Sequence, residues 1–184
     1  MIVRAEEEDI RVGDQHGHES GLWYLAYGSN LHRSIFLERR KMCPLETRWA
    51  WLHHYRLCFN IPVGPGERGV ANIESETGAR ICGALYLLTA EDFDRLDRSE
   101  GVNFNLYRRL PINVVTQRGE HIAAFAYQSS ITTTGRKPSP RYMRLLIEGA
   151  RQHGFPEEYV AFLERFELAI DERDGELDSG PSTS

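Results

Sequence analysis

Residues 22 to 27 read Leu-Trp-Tyr-Leu-Ala-Tyr, a short and almost wholly apolar run, and Gly28-Ser29-Asn30 bring it to an abrupt stop. A run of that length suits a strand buried on both faces, and the small or turn-forming residues after it demand a tight loop. Beyond the loop, Ile35, Phe36, Arg39 and Arg40 fall at roughly helical spacing within His32 to Arg40, which predicts a helix start. Strand, tight loop and helix start together form an arrangement whose converging backbone N–H groups take up a carboxylate or phosphate. An ordinary strand-to-helix turn has the same sequence signature. Under the cradle reading, Gly28 is there either for a left-handed backbone or for close approach of a ligand.

The remainder of the chain predicts more strands than helices. Tyr55, Leu57 and Phe59 alternate with Arg56, Cys58 and Asn60, giving a half-buried strand within 48–60, and the Gly/Pro-rich segment 62–69 is a loop. Val70 to Ile73 and Ile81 to Leu88 read as two strands around a Glu-Ser-Glu-Thr-Gly turn. Thr89 is placed to cap a short amphipathic helix that carries Glu91 and Asp92 in its first turn and ends near Glu100-Gly101. Tyr107 to Thr116 and His121 to Gln128 form an antiparallel hairpin around Gln-Arg-Gly-Glu. Ser139 and Pro140 open a helix closed by Gly154, and Pro156 opens a last one with Tyr159, Phe162, Leu163 and Phe166 on one face. The sum is an α+β domain around a mainly antiparallel sheet.

Composition limits what such a domain does. The 184 residues, 41 % apolar and 10 % aromatic, suit one globular unit. Residues 1–20 carry 2 basic and 6 acidic side chains and residues 171–184 carry 1 and 5, so each end is −4 and the body, 21–170, is +3 out of a total of −5. Both ends are poor in large apolar side chains and read as acidic tails outside the core. A charge of +3 suits a small anionic ligand and falls far short of a nucleic-acid-binding stripe. No run approaches the ~18 apolar residues of a membrane span, and Met1 to Asp9 is acidic where a secretory signal is apolar, so a soluble cytoplasmic protein is expected. Cys43, Cys58 and Cys82 show no metal or redox spacing and are expected to be reduced structural thiols. His16 and His18 fall in the N-terminal tail, and His53 and His54, as neighbours on a strand, point to opposite faces, so no metal site is expected.

A second candidate for chemistry is Asp97-Arg98-Ser99-Glu100-Gly101-Val102, followed by Tyr107. Glu100 stands against the negative end of a helix dipole, and the following glycine lets another group come close. A solvated surface acid is the plainer reading of the same residue.

The pieces Tyr-Leu-Ala-Tyr-Gly-Ser-Asn-Leu (24–31), Gly-Ala-Leu-Tyr-Leu-Leu (83–88), Leu-Asp-Arg-Ser-Glu-Gly-Val (96–102) with Tyr107, Val-Val-Thr-Gln (114–117), Ala-Tyr (126–127), Pro-Ser-Pro-Arg-Tyr (138–142) and Gly-Phe-Pro-Glu-Glu-Tyr (154–159) together resemble the γ-glutamylcyclotransferases. The resemblance implies a small β-barrel flanked by helices and a cytosolic enzyme that turns a γ-glutamyl amino acid or amine into 5-oxoproline and the free amine. It implies Glu100 as general acid/base, Tyr27, Gly28, Ser29 and Asn30 as the loop that holds the glutamyl end, and Tyr107, Tyr127 and Tyr142 as polar aromatics around the pocket. Read without the resemblance, Tyr127 in its strand and Tyr142 in a first helical turn suit plain core equally well. The implied partner is a small-molecule γ-glutamyl substrate, with no cofactor, no nucleic acid and no membrane, and a homodimer left open. The branch specific for glutathione is set aside, because it resembles a Tyr-Gly-Ser-Leu loop. Segments 62–69 and 103–106 depart from the family and leave the leaving amine undetermined. Two alternatives stand beside this reading: the same chemistry on a dedicated γ-glutamyl-protected metabolite, and a non-catalytic binder or hydrolase that reuses the cradle.

The implied chemistry needs little apparatus. The nucleophile is the substrate's own α-amine, and closure gives a five-membered lactam. Passing a proton from an α-ammonium near pKa ~8 to an ordinary glutamate near ~4.3 is uphill by roughly 5 kcal/mol. Glu100 is therefore expected to be withdrawn from water.

Overall fold

The computed structural model describes residues 21–170; the two expected tails, with His16 and His18, lie outside the described residues. The alternating segment forms strand β2, Glu46–Pro62, which runs antiparallel to β3, Gly69–Leu88, across the expected loop. β1, Leu22–Ala26, pairs antiparallel with the far end of β3, from Leu22↔Leu88 to Ala26↔Ala84. β4, Arg108–Thr116, and β5, His121–Gln128, form the expected hairpin, and Gly119 at φ +79° supplies the left-handed residue of its turn. The order β1-β3-β2-β4-β5 closes into a barrel, with one parallel bridge, Tyr24↔Phe125, joining the outer strands. Closure explains why the C-terminal end of β1 and the residue after it are buried on both faces, with Tyr24, Leu25, Ala26 and Tyr27 all 6 % exposed or less, while Leu22 at its start is exposed.

Three helices lie against the barrel. In α1, Ala90–Glu100, the Thr89 hydroxyl accepts from the Asp92 N–H at 3.1 Å. Its C-terminus turns at Gly101, φ +70°, whose N–H reaches back to Asp97 and Arg98. A residue with a side chain is strained in that conformation, so Gly101 fixes Glu100 as the last helical position. In α2, Pro140–Gln152, Ser139 caps the Tyr142 N–H at 3.2 Å and Pro140 takes the first position. α3, Glu157–Leu163, covers the outer aromatics of β2, bringing Tyr159 against Trp51 with ring centroids 5.7 Å apart.

Three local expectations are corrected. β3 is one continuous strand, because the Glu74–Gly78 segment stays in the sheet as a bulge: His53 faces Arg80 while Tyr55 faces Ser75. The stretch after Asn30 is no α-helix: a 3₁₀ turn, Ser29–Leu31, is followed by π-helical Ser34–Arg39, in which the Arg40 N–H reaches the Ile35 carbonyl at 2.9 Å. The tertiary demand is visible in Phe36, which is fully buried and stacks on Tyr86 with ring centroids 4.1 Å apart. The last helix stops before Phe166, which packs from outside it on Phe59 at 4.9 Å.

Candidate active site

The loop after β1 is held from below. The Tyr86 hydroxyl donates to the Asn30 carbonyl at 3.2 Å, and His153 Nε2 lies 3.0 Å from both the Tyr86 oxygen and the Leu31 carbonyl. α2 comes in tight at Gly149, where a Cβ would stand 2.7 Å from the Leu31 backbone. Clamped this way, Asn30 turns inward, 5 % exposed. Its Nδ2 donates to the Tyr24 hydroxyl at 2.9 Å and to Glu100 Oε1 at 3.0 Å. Its Oδ1 is buried with no partner among the described residues, an acceptor left available beside the cavity.

The Glu100 side chain is 13 % exposed, and Oε1 also receives Arg40 Nη2 at 3.1 Å. Arg40 is a component that local sequence reasoning missed, since it stands on the π-helical segment and meets α1 only through the fold. Its position beside Arg39 after Phe36 carried no distinguishing signal.

A cavity of about 50 Å³ opens at this point, room for a small polar group. Tyr27, Gly28, Ser29, Asn30, Glu100, Tyr107, Tyr127 and Tyr142 all line it, so the structure brings together every residue singled out from the sequence, with Tyr24 and Ala71 added. Glu100 is the one carboxylate in that lining.

The tyrosines have different duties. The Tyr27 hydroxyl donates to the Tyr127 carbonyl, and the Tyr127 hydroxyl donates to Asp97 Oδ1 at 2.5 Å. Asp97 is held in turn by Arg109, Nε to Oδ1 at 2.9 Å and Nη2 to Oδ2 at 2.6 Å. This chain of contacts ties β1, β5, α1 and β4 together one helical turn before Glu100. The Tyr142 oxygen accepts from the Ala71 N–H at 3.2 Å and from the Ser29 backbone and hydroxyl, so it organises the loop. The Tyr107 hydroxyl has no hydrogen-bond partner among the described residues and lines the cavity. Burial pushes Tyr142 up to about 12 and raises Tyr24, Tyr27 and Tyr107 as well, with the Glu100 carboxylate adding to the rise in all four. These phenols therefore stay protonated near neutrality, and Glu100 is the one carboxylate beside them.

Gly28 is explained by space. Its φ is −109°, outside the left-handed region, but a Cβ there would meet the Tyr142 oxygen at 3.0 Å and the Ala71 Cβ at 3.4 Å. Gly28→Val is expected to displace Tyr142 and weaken substrate binding by well over tenfold in a protein that still melts cooperatively. Unchanged KM would reduce the segment to an ordinary turn.

His153 gives the loop a pH-dependent support. Burial lowers its pKa below the ordinary imidazole value of about 6.5, outweighing the Leu31 carbonyl. The unfolded chain then takes up this proton first, so the contribution is complete above about pH 6.5 and is lost as pH falls through the lower folded value. His153→Gln should melt earlier at pH 7.5 yet lose less melting temperature than wild type between pH 7.5 and 5. Parallel curves would show that His153 is not the group responsible.

Hydrolytic nucleophiles are poorly provided for among the described residues. The Ser29 hydroxyl is engaged with Tyr142. Burial pushes the Cys58 thiol up to about 11 and raises Cys82 too, while Cys43 is exposed, and none of the three is in a disulfide. Among the described residues no helix is long and apolar enough to cross a membrane.

The chain and its fold are similar to known proteins. Residues 80–163 match the model of the AIG2-like family. The chain is 31 % identical to the γ-glutamylcyclotransferase of Bos taurus over 164 residues, covering 87 % of this chain and 84 % of the bovine one. It is 34 % identical to the γ-glutamyl cyclotransferase gliK of Claviceps purpurea over 143 residues, 68 % of this chain and 61 % of that protein. A solved structure of a protein named γ-glutamyl cyclotransferase shares the fold with a TM-score of 0.72 at 24 % identity, covering 87 % of this chain and 99 % of that one.

Proposed function

Because the chain belongs to the γ-glutamylcyclotransferase family, we propose that it converts a γ-glutamyl amino acid or amine into 5-oxoproline and the free amine, with Glu100 as general acid/base. The observation that carries this is the Glu100 carboxylate, 13 % exposed, fixed between Asn30 and Arg40 in a cavity otherwise walled by protonated phenols and a backbone loop.

The substrate's glutamyl end enters against Tyr27, Gly28, Ser29 and Asn30, and the unpartnered Asn30 Oδ1 accepts from its α-ammonium. Glu100 removes a proton, the freed nitrogen attacks the γ-carbonyl carbon, the new C–N bond closes the ring, and the old amide bond breaks. Between ammonium and lactam the attacking nitrogen gives up two protons; the leaving nitrogen gains two on its way to ammonium. One carboxylate that accepts and returns protons therefore suffices, with nothing consumed. Folding the glutamyl chain back on itself is the remaining task, and a small cavity performs it by excluding extended conformers. Arg40 and the Asp97–Arg109–Tyr127 group are positioning residues, holding the carboxylate and the helix that carries it. A cytoplasmic setting is part of this reading, supported by three cysteines outside any disulfide. A dedicated γ-glutamyl metabolite as the natural substrate is favoured by a groove of about 1050 Å³ beside the cavity, larger than a single amino acid needs.

The test offers γ-glutamyl-alanine and its Nα-acetyl form side by side, following alanine, 5-oxoproline and glutamate. Equal alanine and 5-oxoproline from the first, no glutamate, and no reaction of the second are expected, since acetylation removes the lone pair that closes the ring. Alanine release from the acetylated compound at a comparable rate would mean an external nucleophile and overturn the assignment.

A further inference from the structure

The groove beside the cavity is where a leaving group would lie: it shares Ser29 and Tyr142 with the cavity lining and adds Arg40, whose guanidinium touches Glu100. Its charged lining residues are Arg39, Arg40, Arg68, Arg95 and Arg141, with no carboxylate among them. In a body of only +3 this concentrates like charge on one concave face.

These guanidiniums are not spent equally on the protein. Arg40 is engaged by Glu100 and Ser99. Arg95 is engaged by Asp92 and the Lys41 carbonyl, yet its Nε is buried with no partner among the described residues. Arg39, at the end of the π-helical segment, and Arg141, in the first turn of α2, are exposed and have no ion pair or hydrogen bond among the described residues. Guanidinium forks match carboxylate and phosphate oxygens in pairs, and a concave surface of one sign repels a cationic ligand while drawing in an anionic one. A neutral alkylamine makes no use of any of this, and an ordinary neutral amino acid brings a single carboxylate to it.

Resting on the cyclotransferase reading, we propose that the groove is the leaving-group subsite and selects amines that carry two or more anionic groups, an acidic amino acid being the smallest. Arg39 and Arg141 supply donors to the distal anionic group, and Arg40 stands where the leaving nitrogen meets Glu100.

The full chain is assayed for 5-oxoproline with γ-glutamyl-glutamate, γ-glutamyl-alanine, γ-glutamyl-n-butylamide and γ-glutamyl-lysine. The expected order of kcat/KM is glutamate, alanine, butylamide, lysine, with at least tenfold between the first and the third and most of the difference in KM. Added salt should compress that range. In the double variant R39A/R141A, whose folding is checked by its melt, the glutamate-to-butylamide ratio should fall at least tenfold, and in R39K/R141K it should fall less. Equal turnover of all four compounds, or an unchanged ratio in a folded double variant, would overturn the subsite and leave the cyclotransferase reading intact. Absence of 5-oxoproline from every compound would overturn that underlying reading and the subsite with it.

Discussion

Glu100→Gln should lower 5-oxoproline release from γ-glutamyl-alanine by ~10²–10⁴-fold while the protein still folds and binds substrate. The substitution keeps the shape of the side chain and an oxygen for the Asn30 Nδ2 contact at 3.0 Å, while it removes the proton acceptor and the charge that pairs with Arg40. The cavity offers no substitute: its other side chains are phenols raised by burial, small residues and an amide. Single-turnover rates and a binding isotherm for the unreactive Nα-acetyl compound separate chemistry from affinity. Near-normal turnover in a folded variant would remove Glu100 from the mechanism. Partial recovery at high pH, where the substrate amine loses its proton unaided, would place its main role at the first proton removal.

Phe36→Ala should cost ~3–5 kcal/mol of stability, a loss of roughly 10 °C in melting temperature, because the ring is fully buried and its removal leaves a cavity among aromatics that cannot close in. Phe36 stacks on Tyr86 at 4.1 Å and lies 6.0 Å from Tyr24, and these two tyrosines hold Asn30, one by its carbonyl and one by its amide. The effect should therefore reach catalysis: the fraction that stays folded is expected to show a lower kcat, and Phe36→Leu, which refills part of the volume, should recover both properties in part. A melt close to wild type would show that the π-helical segment is not anchored by this ring. Full activity in the folded fraction would separate the anchor from the site.

Glu100 and Phe36 differ in how much of their role is legible in the sequence. Glu100 stood out through its neighbours in the chain, a helix end and the glycine after it, and the likeness of that segment to a known family gave it a role. Phe36 stood out as one apolar position in a helical pattern, but nothing local indicated that it would sit in a π-helical turn. The apolar spacing marks Phe36 as a core position but does not encode the hydrogen-bond geometry, in which the Arg40 N–H reaches the Ile35 carbonyl. The same distinction explains the Glu74–Gly78 segment, where turn-forming residues are overruled by the pairing of β3 with β2 on both sides of a bulge. In the sequence Tyr127 and Tyr142 suit core and site equally; Tyr127 is buried and Tyr142 partly buried, both line the cavity, and each has its hydroxyl engaged in organising the loop or α1.

What the sequence by itself determined is what depends on neighbours within a few residues. Thr89 and Ser139 cap their helices, Gly101 ends α1 with Glu100 as its last residue, Gly119 turns the hairpin, and the run from Leu22 to Tyr27 followed by Gly28-Ser29-Asn30 is a buried strand leading into a loop. What only the tertiary structure decided is which distant groups meet. Barrel closure through Tyr24 and Phe125, the contact of Asn30 with Glu100 across 70 residues, the arrival of Arg40 at the same carboxylate, and the gathering of arginines along one groove all depend on strand register and helix packing. Caps and turns are settled by short-range sterics and hydrogen bonds that each tetrapeptide carries with it. A polar contact between elements has no such local trace, because the free energy that brings its partners together comes from burying the apolar faces of the elements that carry them.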